Sequence, residues 1–310
     1  MTTVWRPSAP DSIDADLAAL WREASQDGPV SRALMSNLVV VSPTRTFAGI
    51  EEVARRHPAR TILLSYTAGA HETAGPEGVR VGLLTVGEGA GRYGLEMIAV
   101  HTTCADASIP SIVQALTIGS VPTTVWWDAD LSEPAPPEAV TSLGRQLVYD
   151  SAQWKDVKSG VAAAAAVLDR QQPPDIVDLN WRRTAPLRDA IVHALRAEGA
   201  GAALTSARVS HSRNDAAAAC LVAGWLSSRA GVRVEAEHGT AALIDVDLAG
   251  RGWTISASMR EHQIEVRSAR PAFTTTVPAE TEAGAIAAEL LNLSADVGLR
   301  DALRALNGRL

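Results

Sequence analysis

The apolar residues of this chain follow one spacing up to about residue 185 and a different spacing beyond residue 207. In the first part, continuous apolar runs of strand length, such as residues 34–41 and 60–66, alternate with apolar stripes at helical spacing. In the later part, apolar and polar residues alternate one by one over several segments. This change of spacing predicts two domains of different fold class.

The first part is predicted to be an α/β domain with a mixed sheet flanked by helices. Ile13, Leu17 and Leu20 mark the buried face of one helix, and Ile50 and Val53 mark that of a second. The order helix, strand, helix, strand is typical of a βαβ unit. Further elements are predicted as a hairpin of strands at 79–86 and 95–101, strands at 122–127 and 146–149, and an Ala-rich helix at 157–170.

The second part is predicted to be an α+β domain, an antiparallel sheet with helices on one face. Ile244, Val246 and Leu248 share one face of a strand, and Asp245 and Asp247 share the other. This period of two is typical of an antiparallel sheet with one solvated face. The strands are predicted at 232–237, 242–248, 253–259 and 264–268, with helices at 214–228, 281–293 and 296–306.

The predicted boundary separates residues 1–185 from residues 186–310, with a hinge near Gly199-Ala-Gly201. Charge supports the division, because the first part carries a formal net charge of −6 and the second −1. The whole chain of 310 residues carries −7, which argues against a general nucleic-acid binder. No apolar run reaches membrane-spanning length and no secretory signal is visible, so we predict a cytoplasmic protein without a membrane segment.

Familiar catalytic, cofactor and metal motifs are absent from the sequence. The run Gly87-Glu-Gly-Ala-Gly91 lacks the Gly-Lys-Ser/Thr ending of a phosphate loop and is predicted to be a hairpin turn. No Gly-x-Gly-x-x-Gly follows the first predicted strand, no His-Glu-x-x-His or Gly-x-Ser-x-Gly occurs, and Cys104 and Cys220 are too far apart to form a metal-binding pair motif. The sequence therefore predicts no catalytic residue, no cofactor and no metal.

Two short motifs remain as candidate binding sites. Trp126 and Trp127 are adjacent on a predicted strand, so their side chains point to opposite faces, and Asp128 follows where open α/β sheets place ligand crevices. The alternative is a buried Trp followed by a helix-capping Asp. The second motif, Asn180-Trp181-Arg182-Arg183, combines an aromatic side chain with two cations and could bind a phosphate or an acidic partner. The alternative is that these residues pack in the junction between the two domains.

Several stretches together resemble the OpcA family of glucose-6-phosphate dehydrogenase assembly proteins. They are His57-Pro-Ala-Arg60, Val125-Trp-Trp127, Asp178-Leu-Asn-Trp-Arg-Arg-Thr-Ala-Pro-Leu-Arg188 and Ala223-Gly-Trp-Leu-Ser-Ser-Arg-Ala-Gly231, in this order along most of the chain. The resemblance implies a non-enzymatic partner of glucose-6-phosphate dehydrogenase that promotes its assembly and activity and needs no cofactor. It also adds His57 and Arg60 to the candidate residues.

The sequence thus predicts a non-catalytic, two-domain assembly factor and allosteric activator of glucose-6-phosphate dehydrogenase. The predicted binding residues, with Trp as apolar anchors and Arg as charge partners, are His57, Arg60, Trp126, Trp127, Asn180, Trp181, Arg182 and Arg183. The alternative hypothesis is a sugar-phosphate-binding enzyme or sensor. In that case Arg60, Arg182 and Arg183 would form a cluster in the crevice beyond Trp127.

Overall fold

The structure is a computed structural model in which two sheets and ten helices are described. It describes residues 2–43, 49–66, 78–102, 109–133, 136–199, 204–269 and 272–309. Cys104 and most of the predicted hinge at 199–201 lie outside these residues.

The first sheet has nine strands, and six neighbouring strands, counted from one edge, run parallel. The strands are β1 (Thr2–Ser8), β2 (Ser31–Arg32), β3 (Ser36–Ser42), β4 (Ala59–Tyr66), β5 (Gly78–Val86), β6 (Tyr93–Thr102), β7 (Thr123–Trp127), β8 (Gln146–Tyr149) and β9 (Asp175–Asp178). The order is β1-β5-β6-β4-β3-β7-β8-β9, with β2 pairing to β6. β5 joins β6 as the predicted antiparallel hairpin, so this sheet is mixed, as expected.

The central strand order is that of a doubly wound nucleotide-binding sheet. From β3 the chain moves outward through β4 to β6, and then returns to the other side of β3 through β7, β8 and β9. In such sheets the crevice at the carboxyl ends of the strands, where the order reverses, is the usual ligand site. Here that point lies between β3 and β7.

The ten helices are short to medium in length, and most of their buried faces follow the predicted stripes. They are α1 (Ile13–Ala24), α2 (Ile50–Arg56), α3 (Ile109–Leu116), α4 (Glu138–Thr141), α5 (Val157–Leu168), α6 (Leu179–Arg183), α7 (Ala185–Ala197), α8 (Ala216–Ala230), α9 (Glu282–Leu291) and α10 (Val297–Asn307). Side-chain oxygens of Asp156, Thr281 and Asp296 accept backbone N–H bonds at the starts of α5, α9 and α10. These caps satisfy donors that a helix start leaves unpaired.

Both faces of the first sheet are covered. Val39 and Val41 of β3 pack into a core with residues of α1, α3, α5 and α10. Leu38 and Val40 point the other way, into a core with α2 and α9. Burial on both faces explains why β3 reads as a continuous apolar run rather than as an alternation.

The second sheet has six strands and one covered face. The strands are β10 (Leu204–His211), β11 (Ala236–His238), β12 (Ile244–Gly250), β13 (Trp253–Met259), β14 (Gln263–Ser268) and β15 (Phe273–Thr276). The order is β11-β10-β12-β13-β14-β15, and α7 and α8 supply helical residues to the core on the buried face. All pairs are antiparallel except β10 with β11, which run parallel, so the sheet departs from the predicted antiparallel one at this edge.

The last two helices return to the first sheet. α9 packs against α2, and α10 packs against α5 and α8. α8 itself serves both cores, because Ala217 and Leu221 lie in the first while Val222 and Leu226 lie in the second. The predicted division at residue 186 stays a prediction, and residues 282–307 make their core contacts with the first sheet.

Candidate partner-binding site

His57 and Arg60 lie at the amino ends of the parallel strands. His57 follows α2, is buried, and its Nε2 is 2.8 Å from Oγ of Ser36. Burial lowers the pKa of His57, which favours the neutral ring. Arg60 is the second residue of β4 and is also buried. Its Nε is 3.3 Å from Oε2 of Glu96, and Oε1 of Glu96 accepts the indole N–H of Trp21.

We expect a Glu96→Gln variant to be destabilised by about 2 kcal/mol, because the buried Arg60 cation would lose its buried carboxylate, which also pairs with Arg32 at 2.8 Å. Urea unfolding of the two proteins measures the difference. The matched control is Glu133→Gln, whose exposed pair with Lys155 is expected to contribute less than about 1 kcal/mol. Equal stability of wild type and Glu96→Gln would contradict the structural role assigned to this pair.

Trp126 and Trp127 point to opposite faces of β7, and both are buried, with 3% and 2% of their surface exposed. Trp126 belongs to the core that α2 and α9 line, and Trp127 to the core on the other face. Among the described residues neither indole N–H has a hydrogen-bond partner. Both side chains therefore act here as packing residues.

Asn180 and Trp181 are also buried, in the short helix α6. The indole N–H of Trp181 donates to Oδ2 of Asp296 at 2.7 Å, which ties α6 to the start of α10. The guanidinium of Arg188 lies 3.3 Å from the centre of the Trp181 ring. Burial lowers the pKa of Arg188 to about 10, and the ring face offers the cation an attractive surface.

Arg182 and Arg183 are the two predicted residues of this motif that reach solvent. Arg182 donates to both oxygens of Glu280 at 2.9 Å and also to Glu289. Arg183 donates to both oxygens of Asp150 at 2.8 Å. Their side chains are 31% and 41% exposed, so each cation keeps an open side while its ion pairs fix its position.

The structure brings six of the eight predicted residues to one edge of the first sheet and leaves two at the other. Trp126, Trp127 and the α6 residues lie at the carboxyl ends of β7 and β9, whereas Arg60 lies opposite Asn37, near the amino ends. Because Trp127 pairs with Val41, four residues further along β3, the offset is roughly 13 Å. The cluster of Arg60, Arg182 and Arg183 expected under the sugar-phosphate hypothesis therefore does not form.

Sequence reasoning singled out Asp128 but missed the other acidic residues of this edge. Asp128 follows β7, Asp150 follows β8, Asp178 ends β9, and Glu282 begins α9. Burial, together with the charge of the nearby Asp150, raises the pKa of Asp178 to about 7, against the backbone N–H bonds that it accepts from Ser151 and Asn180. The signal was present in the sequence, since three successive strands are each completed by an Asp.

The charges of these acidic residues act on one another around Arg183. Burial and the charges of Asp128 and Asp150 raise the pKa of Glu282, while Arg183 lowers it.

Within the described residues, no group of three or more His, Cys, Asp or Glu side chains is arranged to hold a metal ion. In the same part of the chain, no helix has both the length and the apolar character needed to cross a membrane.

Comparison with known proteins places the chain in a family. Residues 50–166 match the model described as glucose-6-phosphate dehydrogenase subunit N-terminal domain, and residues 174–303 match the corresponding C-terminal domain. Both are models of OpcA domains, and together they span most of the chain. The chain belongs to the OpcA family. The resemblance suggested by the Trp-Trp and Asn-Trp-Arg-Arg motifs is thereby confirmed.

An OpcA relative from the cyanobacterium Nostoc punctiforme, described as an OxPP cycle protein, is 25% identical over 187 residues. The match covers 58% of this chain and 39% of that protein, so this chain spans less than half of the relative's length.

Solved structures match this chain only at low TM-scores and low sequence identities. The Gal80p regulator of Kluyveromyces lactis has a TM-score of 0.46 at 9% identity over 92% of this chain and 93% of its own. The biliverdin reductase of Synechocystis has a TM-score of 0.44 at 11% identity over 87% and 95%.

Proposed function

We propose that this OpcA-family chain binds glucose-6-phosphate dehydrogenase and favours its active assembly without catalysing a reaction itself. The observation that carries the proposal is the pair of family matches, because both halves of the chain match domains named for that enzyme. The mechanism is linkage: a protein that binds the active assembly better than the inactive one raises the population of the active assembly.

We propose that the partner contacts the exposed surface that α6 and the start of α9 form together, here called the α6–α9 surface. Its members are Arg182, Arg183, Glu280, Thr281 and Glu282. The open sides of Arg182 and Arg183 would pair with carboxylates of the enzyme, as the sequence predicts. Trp126, Trp127, Asn180 and Trp181 would act from below this surface by holding α6 in place.

The test mixes the purified chain with the glucose-6-phosphate dehydrogenase of the same organism and measures enzyme activity and complex mass. We expect co-elution and raised activity with the wild type. An Arg182→Ala, Arg183→Ala double variant should bind at least about tenfold more weakly, which corresponds to a hot-spot loss of about 1.4 kcal/mol.

The matched control is an Arg208→Ala, Arg267→Ala double variant, which removes two exposed ion-paired arginines from the second sheet. We expect its binding to stay within about twofold of the wild type. Circular dichroism establishes that each variant is folded. If the wild type neither co-elutes with the enzyme nor changes its activity, the proposed function is wrong. If a folded α6 double variant binds as the wild type does, only the position of the surface is wrong.

A further inference from the structure

A cavity of about 340 Å³ lies where α5, α8, α10 and the segment before β11 meet. Its volume falls in the lower part of the range typical of small-molecule sites, and such sites often lie between packed units of a fold. Three of these elements, α5, α8 and α10, contribute to the core of the first sheet, whereas β11 belongs to the second sheet. A ligand bound there would contact both parts of the molecule.

Most of the cavity wall is apolar. Ala216, Cys220 and Ala223 of α8 follow one another at helical spacing along the cavity, and their small side chains leave space that larger ones would fill. Leu306 of α10 and Val234 complete much of the apolar lining. This composition favours the hydrocarbon part of a ligand, because burying apolar surface contributes about 25 cal/mol per Å².

The polar part of the lining carries an excess of positive charge. Arg233 is paired with Glu235, so their charges cancel. Arg309, exposed just beyond α10, has no carboxylate within salt-bridge distance among the described residues. His211 is buried, and its Nδ1 lies 2.7 Å from the carbonyl oxygen of Ser212. A carbonyl oxygen only accepts, so Nδ1 of His211 donates this hydrogen bond.

We propose that this cavity binds a small amphipathic anion, with its hydrocarbon part against α8 and its carboxylate or similar group beside Arg309. The assignment rests on the apolar wall together with the unpaired cation at its edge. It does not depend on the proposed function, because the chain alone is sufficient for binding. A bound anion would hold α8, α10 and the segment before β11 together.

Octanoate is the probe, and two readouts are measured on the full chain. Thermal unfolding should shift upward with octanoate concentration, since a ligand that binds only the folded state stabilises it. Labelling of Cys220 by a small methanethiosulfonate, followed by peptide mass spectrometry, should slow about tenfold at ten times the dissociation constant. Burial raises the pKa of the Cys220 thiol to about 11, so labelling is run at mildly alkaline pH.

Octylamine, which carries a cation in place of the carboxylate, and butyrate, which has a shorter hydrocarbon chain, are the control ligands. We expect neither to protect Cys220 at the same concentration. Arg309→Gln should weaken octanoate binding at least about fivefold, which would exceed 0.9 kcal/mol. Arg304→Gln, one turn earlier and exposed, should leave it unchanged. Ala223→Phe, which fills the cavity, should abolish protection of Cys220.

Three outcomes would overturn the proposal. The first is the absence of both a thermal shift and Cys220 protection in millimolar octanoate. The second is equal protection by octylamine, which would show that the charge at the edge does not select an anion. The third is unchanged octanoate binding by a folded Arg309→Gln variant. Each outcome leaves the binding of glucose-6-phosphate dehydrogenase untouched, because that interaction is measured separately.

Discussion

An Asp178→Asn variant is expected to be more stable than the wild type at pH 8 and about equally stable near pH 4. Asp178 is 1% exposed, and burial raises its pKa from the usual 3.8 to about 7. Its Oδ1 accepts backbone N–H bonds from Ser151 and Asn180, whereas its Oδ2 has no partner among the described residues. An Asn can keep the two accepted bonds through its amide oxygen while removing the charge.

The sign of this pH dependence follows from the number of protons that the folded and the unfolded chain bind. Between about pH 4 and pH 7 the unfolded chain has an ionised Asp178, whereas the folded chain still holds the proton. The folded state therefore binds more protons, and the free energy of unfolding falls as the pH rises through this window and is level above it. A shift of about three pKa units corresponds to about 4 kcal/mol at pH 8.

The measurement is urea unfolding of wild type and Asp178→Asn at half-unit steps from pH 4.5 to pH 8.5. The difference in unfolding free energy between the two proteins should grow with pH and level off above about pH 7. Asp169→Asn, at an exposed position at the end of α5, is the control and should give a difference that stays nearly constant. A constant difference for Asp178→Asn as well would show that this carboxyl is not buried as the structure has it.

A Gly224→Ala variant is expected to be destabilised by about 1–3 kcal/mol. Gly224 lies in α8, and a Cβ there would stand 2.7 Å from the backbone oxygen of Ala302 and 2.7 Å from Cγ of Leu306, both in α10. A backbone atom cannot move aside as a side chain can, so the two helices must separate. Replacing Gly by Ala in an uncrowded helix interior stabilises a protein by about 1 kcal/mol. A loss of stability in Gly224→Ala would therefore indicate that α8 and α10 are in close contact at this position.

Thermal and urea unfolding of Gly224→Ala measure this packing directly. Ser228→Ala, one turn later and exposed on the same helix, is the matched control and should change stability by less than about 1 kcal/mol. If Gly224→Ala were as stable as the wild type or more so, α8 and α10 would not be in the close contact described here.

The spacing of the apolar residues along the chain was enough to predict where many of the strands and helices lie. β8 and β13 occupy the predicted residues, β7 begins one residue later than predicted, and α10 is displaced by one residue at each end. Three strands were missed for identifiable reasons. β1 contains Pro7 and lies at an edge, where proline is tolerated, whereas β2 has only two residues and β9 only four. β11 is shorter than predicted, at residues 236–238.

The sequence by itself determined the family, the two kinds of sheet and the opposite directions of Trp126 and Trp127, because each depends on local spacing and residue order. Only the tertiary structure decided what those residues touch. Glu280 reaches Arg182 across 98 positions, and Asp296 reaches Trp181 across 115. The return of α9 to the core of Trp126, and of α10 to the core of Trp127, depends in the same way on contacts between distant segments. Side-chain spacing along one element carries no information about which distant element will cover it, so burial and charge pairing emerge only when the chain is packed.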